Sequence, residues 1–124
     1  MILVYYSFTG QVKSFVGKID KYESINVEEY LPSMGKYILI TPTHGFGNVP
    51  DKVQEFLNRH SDNMVAVCGS GRQVWKLQGT YCKAVDVISS QYGVPSLLKF
   101  EMKGTDRDRV ELIERIEKIE QEMD

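Results

Sequence analysis

The sequence predicts an α/β protein in which helices cover both faces of a parallel sheet. Short apolar runs with little charge alternate along the chain with stretches whose apolar residues recur every three or four positions. The chain ends on such a helical stretch, and segments rich in glycine, proline or hydroxyl residues separate the elements. This alternation is typical of strands buried on both faces and of the helices that connect them.

Five strands are predicted from β-branched, aliphatic and aromatic runs. They cover residues 2–6, 22–27, 36–41, 63–69 and 96–102. Four helices are predicted after strands 1, 3, 4 and 5, and each has an apolar face. In chain order these faces contain Val12, Phe15, Val16 and Ile19; Val53, Phe56 and Leu57; Ala84, Val85, Val87 and Ile88; and Val110, Ile113, Ile116 and Ile119. Pro50 suits the first turn of the second helix, and Thr105 with Asp108 begins the last one as a capping box.

The connections between these strands restrict their order in the sheet. Right-handed crossovers and five strands in 124 residues predict the flavodoxin-like order 2-1-3-4-5, in one three-layer α/β/α domain over residues 1–124. That order changes direction between strands 1 and 3, where open parallel sheets bind ligands. The glycine- and hydroxyl-rich loops 7–11, 42–49 and 70–79 then meet in one crevice. The sequence therefore predicts a ligand site there.

Composition and charge exclude several other classes of protein. A net charge of -2 gives no large field for nucleic acid or an anionic membrane. No stretch resembles a signal peptide, and no apolar run is long enough to cross a membrane. Cys68 and Cys82 fit neither a disulfide framework nor a paired-thiolate metal site. We therefore expect a cytoplasmic protein with reduced thiols and no resident metal.

The first loop has the composition of an anion site. Ser7 and Thr9 supply hydroxyl groups, Gly10 permits a tight turn, and free N–H groups of the following helix point out of the sheet's end. The alternative is that the hydroxyls only cap the helix. No dinucleotide fingerprint and no ATP-type phosphate loop occurs in the chain. A phosphate bound here would be a monophosphate held without lysine or magnesium.

The other two loops could hold a flat ring. Gly45 and Gly47 lack a Cβ, so a planar group could approach the backbone closely. Phe46 and Trp75 could flank such a ring, although Phe46 could equally anchor the loop in the core. His44 could contact a ligand edge or donate a proton, or it could simply be solvated.

Two further features of the chain give weaker signals. Cys82 is expected to pack at a helix start, where its thiol pKa could be lowered. The segment from Cys68 to Arg72 is too short to wrap a phosphate as a phosphatase loop does. No aspartate ends the third strand, and no arrangement of serine, histidine and carboxylate suggests hydrolysis. We therefore predict a binding site for a flat cofactor, with no catalytic side chain of its own.

Several segments together resemble the NrdI family, small flavodoxin-like proteins that work with class Ib ribonucleotide reductase. The resemblance extends over nearly the whole chain. Its best segments are Ser7-Phe8-Thr9-Gly10-Gln11-Val12, Gly45-Phe46-Gly47-Asn48-Val49-Pro50, Tyr81-Cys82-Lys83-Ala84, Gln91-Tyr92-Gly93-Val94-Pro95, Lys99-Phe100-Glu101 and Gly104-Thr105. The later segments are more diagnostic, because any flavodoxin could share the first loop.

The resemblance implies bound FMN, with its phosphate on the first loop and its isoalloxazine against residues 43–47 and the loop after strand 4. The implied FMN-binding residues are Ser7, Phe8, Thr9, Gly10, Gln11, Val12, Thr43, His44, Gly45, Phe46, Gly47, Ser70, Gly71, Trp75, Tyr81 and Cys82. In the family, reduced FMN reacts with O2, and the oxidant (superoxide or peroxide) passes to the dimanganese site of the partner subunit NrdF. There it helps to generate the tyrosyl radical. A separate flavin reductant is also implied.

The third loop departs from the family pattern. Ser70 and Gly71 are followed by eight residues, 72–79, that lack the two asparagines usual in the family, and Gln11 stands where asparagine is more usual. A divergent, phage-borne member would show such changes. These departures leave two other functions open for this chain: an electron-transfer flavodoxin, and a cofactor-free partner of the reductase.

The charge beside this loop distinguishes an oxidant-generating flavoprotein from an electron-transfer flavodoxin. Flavodoxins that carry single electrons are usually strongly acidic, whereas Arg72, Lys76 and Lys83 lie in or next to the third loop. Cations near a flavin would ease its two-electron reduction, which suits a flavin that reacts with oxygen. The alternative is that these cations face a partner protein.

Overall fold

The computed structural model of this chain describes residues 1–45, 47–73 and 79–123. The strands are β1 (Ile2–Tyr5), β2 (Ser24–Asn26), β3 (Tyr37–Pro42), β4 (Met64–Gly71) and β5 (Ser96–Glu101). The helices are α1 (Gln11–Val16), α2 (Asp51–His60), α3 (Lys83–Tyr92) and α4 (Asp106–Met123). Short 3-10 turns occupy Pro32–Met34 and Ser61–Asn63.

The strands form one parallel sheet in the order β2-β1-β3-β4-β5, which confirms the predicted topology. The strand ends differ from the predicted ones by at most two residues, and the differences at β2 and at the end of β4 are the largest. β2 is only three residues long. β4 continues through Ser70 and Gly71, which pair with Phe100 and Glu101 of β5. These two residues therefore end a strand instead of beginning a loop.

The core has two layers, one on each face of the sheet. Leu3 pairs with Ile38 across β1 and β3, and both belong to the layer that contains α1 and α4. Val4 pairs with Leu39 one position further along, and both belong to the layer that contains α2 and α3. All four side chains are 0% exposed, and burying each contributes about 1.5–3 kcal/mol. This two-sided burial explains why the central strands contain no charged residue.

The apolar face of α4 differs from the predicted one at one position, since Ile116 lies in the core and Ile113 and Ile119 pack against it. Val110 is 56% exposed, whereas Arg109, Leu112 and Ile116 are buried. The predicted face used a spacing of three residues, which falls roughly 60° short of a full turn at each step. The predicted capping box is present, with Thr105 N–H donating to Asp108 Oδ2 and Asp108 N–H donating to Thr105 Oγ1.

Within the residues that the structure describes, no helix is both long enough and apolar enough to cross a membrane.

Candidate functional site

A cavity of about 330 Å3 lies at the carboxyl ends of β1, β3 and β4. This is the point where the strand order changes direction, as the sequence predicts for a ligand crevice. The described residues that line it are Phe8, Thr9, Gln11, Val12, Pro42, Thr43, Ser70, Gly71, Arg72 and Met102. The predicted first loop, the start of the second and the end of β4 are therefore brought together.

In the first loop, one polar group caps α1 and others line the cavity. Ser7 Oγ accepts a hydrogen bond from Lys13 N–H at 3.1 Å, so this hydroxyl caps α1. Gln11 and Val12 are the first two residues of the helix, where backbone N–H groups have no partner within the helix. Both residues line the cavity, as does the exposed Thr9. The capping interpretation is correct for Ser7, and the remaining donors are placed to meet an anion.

The second loop is a tight turn in which the described residues form three backbone hydrogen bonds, one of them from Gly47 N–H to His44 O at 3.2 Å. His44 N–H donates to Asn48 O at 2.9 Å, and Asn48 N–H donates to His44 O at 2.7 Å. Gly45 and Gly47 have φ angles of +53° and +108°, a region that favours glycine. A side chain at either position would therefore strain the turn.

This turn is fastened to the start of α3 at two points. Thr43 Oγ1 accepts a hydrogen bond from Ala84 N–H at 3.2 Å. At Gly47 a Cβ would lie 2.7 Å from Cδ of Lys83, so the absence of a side chain lets the lysine stem pack on the backbone. The second loop is consequently held by the helix that follows the third loop.

His44 lies in an aromatic cluster beside the cavity. Its ring centre is 4.9 Å from that of Phe8 and 6.1 Å from that of Tyr6, both in edge-on geometry. Among the described atoms, His44 Nε2 is buried and has no hydrogen-bond partner. Phe8 is 69% exposed although it lines the cavity. A buried nitrogen without a partner and an exposed aromatic ring are both features that a bound group could satisfy.

Cys82 packs against the end of β4 beside the cavity. It is fully buried at the start of α3, as predicted, and its thiol lies 3.6 Å from the carbonyl oxygen of Gly69. A Cβ at Gly71 would lie 2.7 Å from the Cys82 nitrogen, so the two backbones approach closely there. Burial raises the pKa of Cys82 to about 11. The alternative of a lowered thiol pKa is not borne out, because desolvation outweighs the hydrogen bond with Tyr81 and the charge of Lys99, which lower it.

Several predicted site residues are not among the described residues that line the cavity: Ser7, Gly10, His44, Gly45, Gly47, Tyr81 and Cys82. Tyr81 packs against the core layer of α2 and α3, and burial raises the pKa of its hydroxyl. Cys68 lies in the opposite core layer from Cys82, and both are free thiols. Phe46 and Trp75 lie outside the described residues, so their stacking on a ring stays a prediction.

Three lining residues were missed as site residues by sequence reasoning: Pro42, Arg72 and Met102. Pro42 ends β3, and Arg72 directly follows β4. Met102 follows β5, whose carboxyl end lies next to that of β4 because the two strands are parallel neighbours. The predicted strand order contained this signal, since it places the end of strand 5 beside that of strand 4.

The described cavity wall carries one charge, that of Arg72. Neither Arg72 nor Lys83 forms an ion pair with another residue in the described part of the chain. No group of three histidine, cysteine or carboxylate residues within those same ranges could hold a metal ion. The site is therefore suited to an anionic organic ligand.

The family described as NrdI Flavodoxin like matches residues 3–115 of this chain. The chain belongs to the NrdI family. Protein NrdI of Macrococcus caseolyticus (strain JCSC5402) is 43% identical over 119 residues, which cover 96% of this chain and 91% of that protein. The resemblance to the NrdI family that the sequence motifs indicated is confirmed.

Solved structures similar to this NrdI-family chain include flavodoxins. The Streptococcus pneumonia TIGR4 flavodoxin is 20% identical, with a TM-score of 0.68 and 97% of each chain covered. The two-electron reduced Megasphaera elsdenii flavodoxin is 18% identical, with a TM-score of 0.68, 95% of this chain and 99% of that chain covered. At these identities the likeness establishes the flavodoxin-like fold.

Proposed function

We propose that this chain binds FMN and supplies an oxidant, superoxide or peroxide, for assembly of the dimanganese-tyrosyl radical cofactor of NrdF. NrdF is the small subunit of class Ib ribonucleotide reductase. The observation that carries the proposal is the cavity at the strand switch point of an NrdI-family chain, lined by that family's first-loop motif. Bound FMN would supply the electrons that reduce O2.

The described residues fit this group. A cavity of about 330 Å3 lies in the size range of sites for small organic ligands. Gly71 lines the cavity, so no side chain from that position narrows it. Phe8 offers an exposed aromatic ring beside the cavity. A flat ring and a phosphate would each meet suitable groups.

The first loop would hold the phosphate. The N–H groups of Gln11 and Val12 and the hydroxyl of Thr9 are donors without a lysine or a metal. Ser7 would act through the backbone, because its Oγ fixes Lys13 N–H and so shapes the helix start. This arrangement suits a monophosphate ester.

The second loop and the neighbouring cations would set the electrostatics of the ring. Tight closure of the turn by His44 and Asn48 keeps its peptide groups in fixed positions. A unit charge about 8 Å away, at an effective dielectric of about 20, is worth about 2 kcal/mol, or roughly 90 mV for one electron. Arg72 and Lys83 would therefore ease the second reduction step, in contrast to the acidic surroundings of an electron-transfer flavodoxin. NrdF would dock where the oxidant leaves, at the cavity mouth.

A separate reductase would reduce the flavin, and the cytoplasm is the proposed compartment because both cysteines are free thiols. No nucleic acid and no membrane takes part in this proposal.

The first experiment is the visible absorption spectrum of the purified protein, before and after addition of FMN. Flavin bands in near-stoichiometric ratio to protein are expected. The loaded protein, reduced and then exposed to air, should activate manganese-loaded NrdF in a radical assay. A colourless protein that leaves FMN fluorescence unquenched would instead favour the cofactor-free partner. Loaded protein that fails to activate NrdF but passes single electrons to an acceptor would favour the electron-transfer flavodoxin.

A further inference from the structure

Met102 is a wall residue of the cavity to which the proposed function gives no role. It directly follows β5, and its N–H donates a hydrogen bond to Gly71 O at 3.0 Å. Its φ angle of +55° lies in the left-handed region that non-glycine residues rarely adopt. The side chain is 40% exposed and lines the cavity. The left-handed backbone of Met102, hydrogen-bonded to Gly71, therefore places a thioether side chain at the cavity wall.

We infer that Met102 is a sulfoxidation site, oxidised by peroxide formed in the cavity, and that this oxidation limits how long the site retains its flavin. The inference rests on the proposed function, because reduction of O2 at the site supplies the peroxide. A lone pair of Met102 Sδ attacks one oxygen of hydrogen peroxide, so an S–O bond forms while the O–O bond breaks. The departing hydroxide takes the remaining proton and leaves as water. Sulfur is oxidised by two electrons and peroxide is reduced by two.

Position, more than exposure, singles out Met102. Met123 is 44% exposed and Met34 is 38% exposed, so all three thioethers are open to solvent to a similar degree. Met123 and Met34 line a separate cavity with Met1 and Lys36. Met1 directly precedes β1 and Lys36 directly precedes β3. This second cavity therefore lies at the amino end of the sheet, opposite the proposed flavin site. Peroxide released at the carboxyl end would therefore meet Met102 before it is diluted.

Oxidation would change the cavity wall itself. A sulfoxide replaces an apolar, flexible side chain with a polar and chiral one. At Met102 the new dipole would face the space that the flat ring needs. Sulfoxide reductases can reverse this oxidation, so its effect on flavin retention would be reversible.

The test uses the full-length, FMN-loaded protein and peptide mass spectrometry. The protein is cycled aerobically with a flavin reductant in the presence of catalase, which removes peroxide from bulk solution. Sulfoxide is then quantified at Met102 and Met123, FMN retention is measured in the same preparations, and peroxide formation is measured in a parallel preparation without catalase. Met102 sulfoxide is expected to exceed Met123 sulfoxide several-fold. When peroxide is instead added to protein without reductant or catalase, the two residues should be oxidised to similar extents.

Two matched variants test the consequence. After repeated cycles, Met102→Leu protein should keep the fraction of FMN that it bound at the start, whereas Met123→Leu protein should lose FMN as the unmodified chain does. Equal sulfoxide at both residues, or equal loss of FMN in both variants, would overturn the inference while flavin binding and peroxide formation persist. Protein that binds no FMN and forms no peroxide would overturn the proposed function itself, and the inference with it.

Discussion

A Cβ at Gly104 would lie 2.6 Å from Cδ1 of Phe15, so the turn between β5 and α4 rests directly on that ring. Phe15 stacks on Phe100 at 3.9 Å between ring centres, and the guanidinium of Arg109 lies 5.4 Å from the Phe15 ring centre. The Arg109 guanidinium is also bonded to Asp106 at 2.7 Å. The entry to α4 is thus set by contacts with one aromatic residue of α1.

Substitution of Gly104 by alanine should destabilise the fold markedly. The left-handed φ of +68° costs a non-glycine residue about 1–2 kcal/mol, and overpacking against Phe15 adds about 1–3 kcal/mol. Urea unfolding followed by circular dichroism measures the sum. Gly93→Ala is the matched control, because Gly93 has φ +66° and no heavy atom lies within 4 Å of the position that its Cβ would take. If the two variants lose equal stability, the contact with Phe15 carries no cost.

Loss of the Thr9 hydroxyl should weaken binding of FMN more than binding of riboflavin. Thr9→Val keeps the shape of the side chain and removes a donor that would face only the phosphate. One lost hydrogen bond to a charged group is worth about 1.5–3 kcal/mol, which corresponds to roughly tenfold or more in Kd. Fluorescence quenching titrations with both flavins measure the effect. Ser14→Ala, which removes an exposed hydroxyl of α1 outside the cavity lining, should bind both flavins normally. Equal weakening for the two ligands would contradict a phosphate contact at Thr9.

Removal of a cation beside the site should make the second reduction step of the flavin harder. Arg72→Gln and Lys83→Met should each shift that potential downward by tens of millivolts, up to roughly 90 mV for a charge at close range. Methionine at position 83 retains an aliphatic stem that can cover Gly47. Spectroelectrochemical titration at low salt measures the shift, which added salt should reduce. Lys36→Gln, beside the cavity at the amino end of the sheet, serves as the control. If the potential of the second reduction step is unchanged in both variants, these cations interact only with a partner protein.

The buried thiol of Cys82 should make stability fall at alkaline pH. Burial raises its pKa from 9.0 to about 11 in the folded chain, so the folded state keeps its proton where the unfolded state loses it. The stabilisation is complete below about pH 9 and is lost as pH rises toward 11, with a total of about 2–3 kcal/mol. Burial also raises the pKa of Cys68, Tyr22, Tyr37 and Tyr81, so these groups add to the loss of stability at alkaline pH.

Cys82→Ala isolates the contribution of that thiol. Urea unfolding at pH 8 and pH 10.5 should show a smaller loss of stability in the variant than in the unmodified chain. Tyr22 and Tyr37 are common to both proteins and cancel, whereas Cys68 and Tyr81 owe part of their raised pKa to Cys82, so their share of the loss also falls in the variant. Identical losses in the two proteins would contradict the raised pKa, and so would rapid alkylation of Cys82 in the folded state at pH 8.

Topology could be predicted from the sequence because its cause is visible there. Buried strands such as the one around Leu39 contain no charge, and helical spacing between them leaves few possible orders for the sheet. The end of β4 was harder, because Ser70 and Gly71 have the composition of a loop and are held in the strand by pairing with β5. Val110 was wrongly predicted to be buried. The charged residue Arg109 is buried instead, with its guanidinium over the ring of Phe15.

The candidate site was predicted less completely than the fold. The lining by Thr9, Gln11 and Thr43 followed from strand order and loop composition. The capping role of Ser7 depends on the direction of one hydroxyl, which no pattern encodes. Met102 entered the cavity through a left-handed backbone conformation at a non-glycine residue, and residue type gives no warning of that.

Attachment of the second loop to the start of α3 also determines where the chain can change in length. Thr43 and Gly47 make their contacts with Ala84 and Lys83, which come after the third loop in the chain. Insertions or deletions between residues 72 and 80 should therefore leave both anchors in place. The scaffold should tolerate changes of length in that segment.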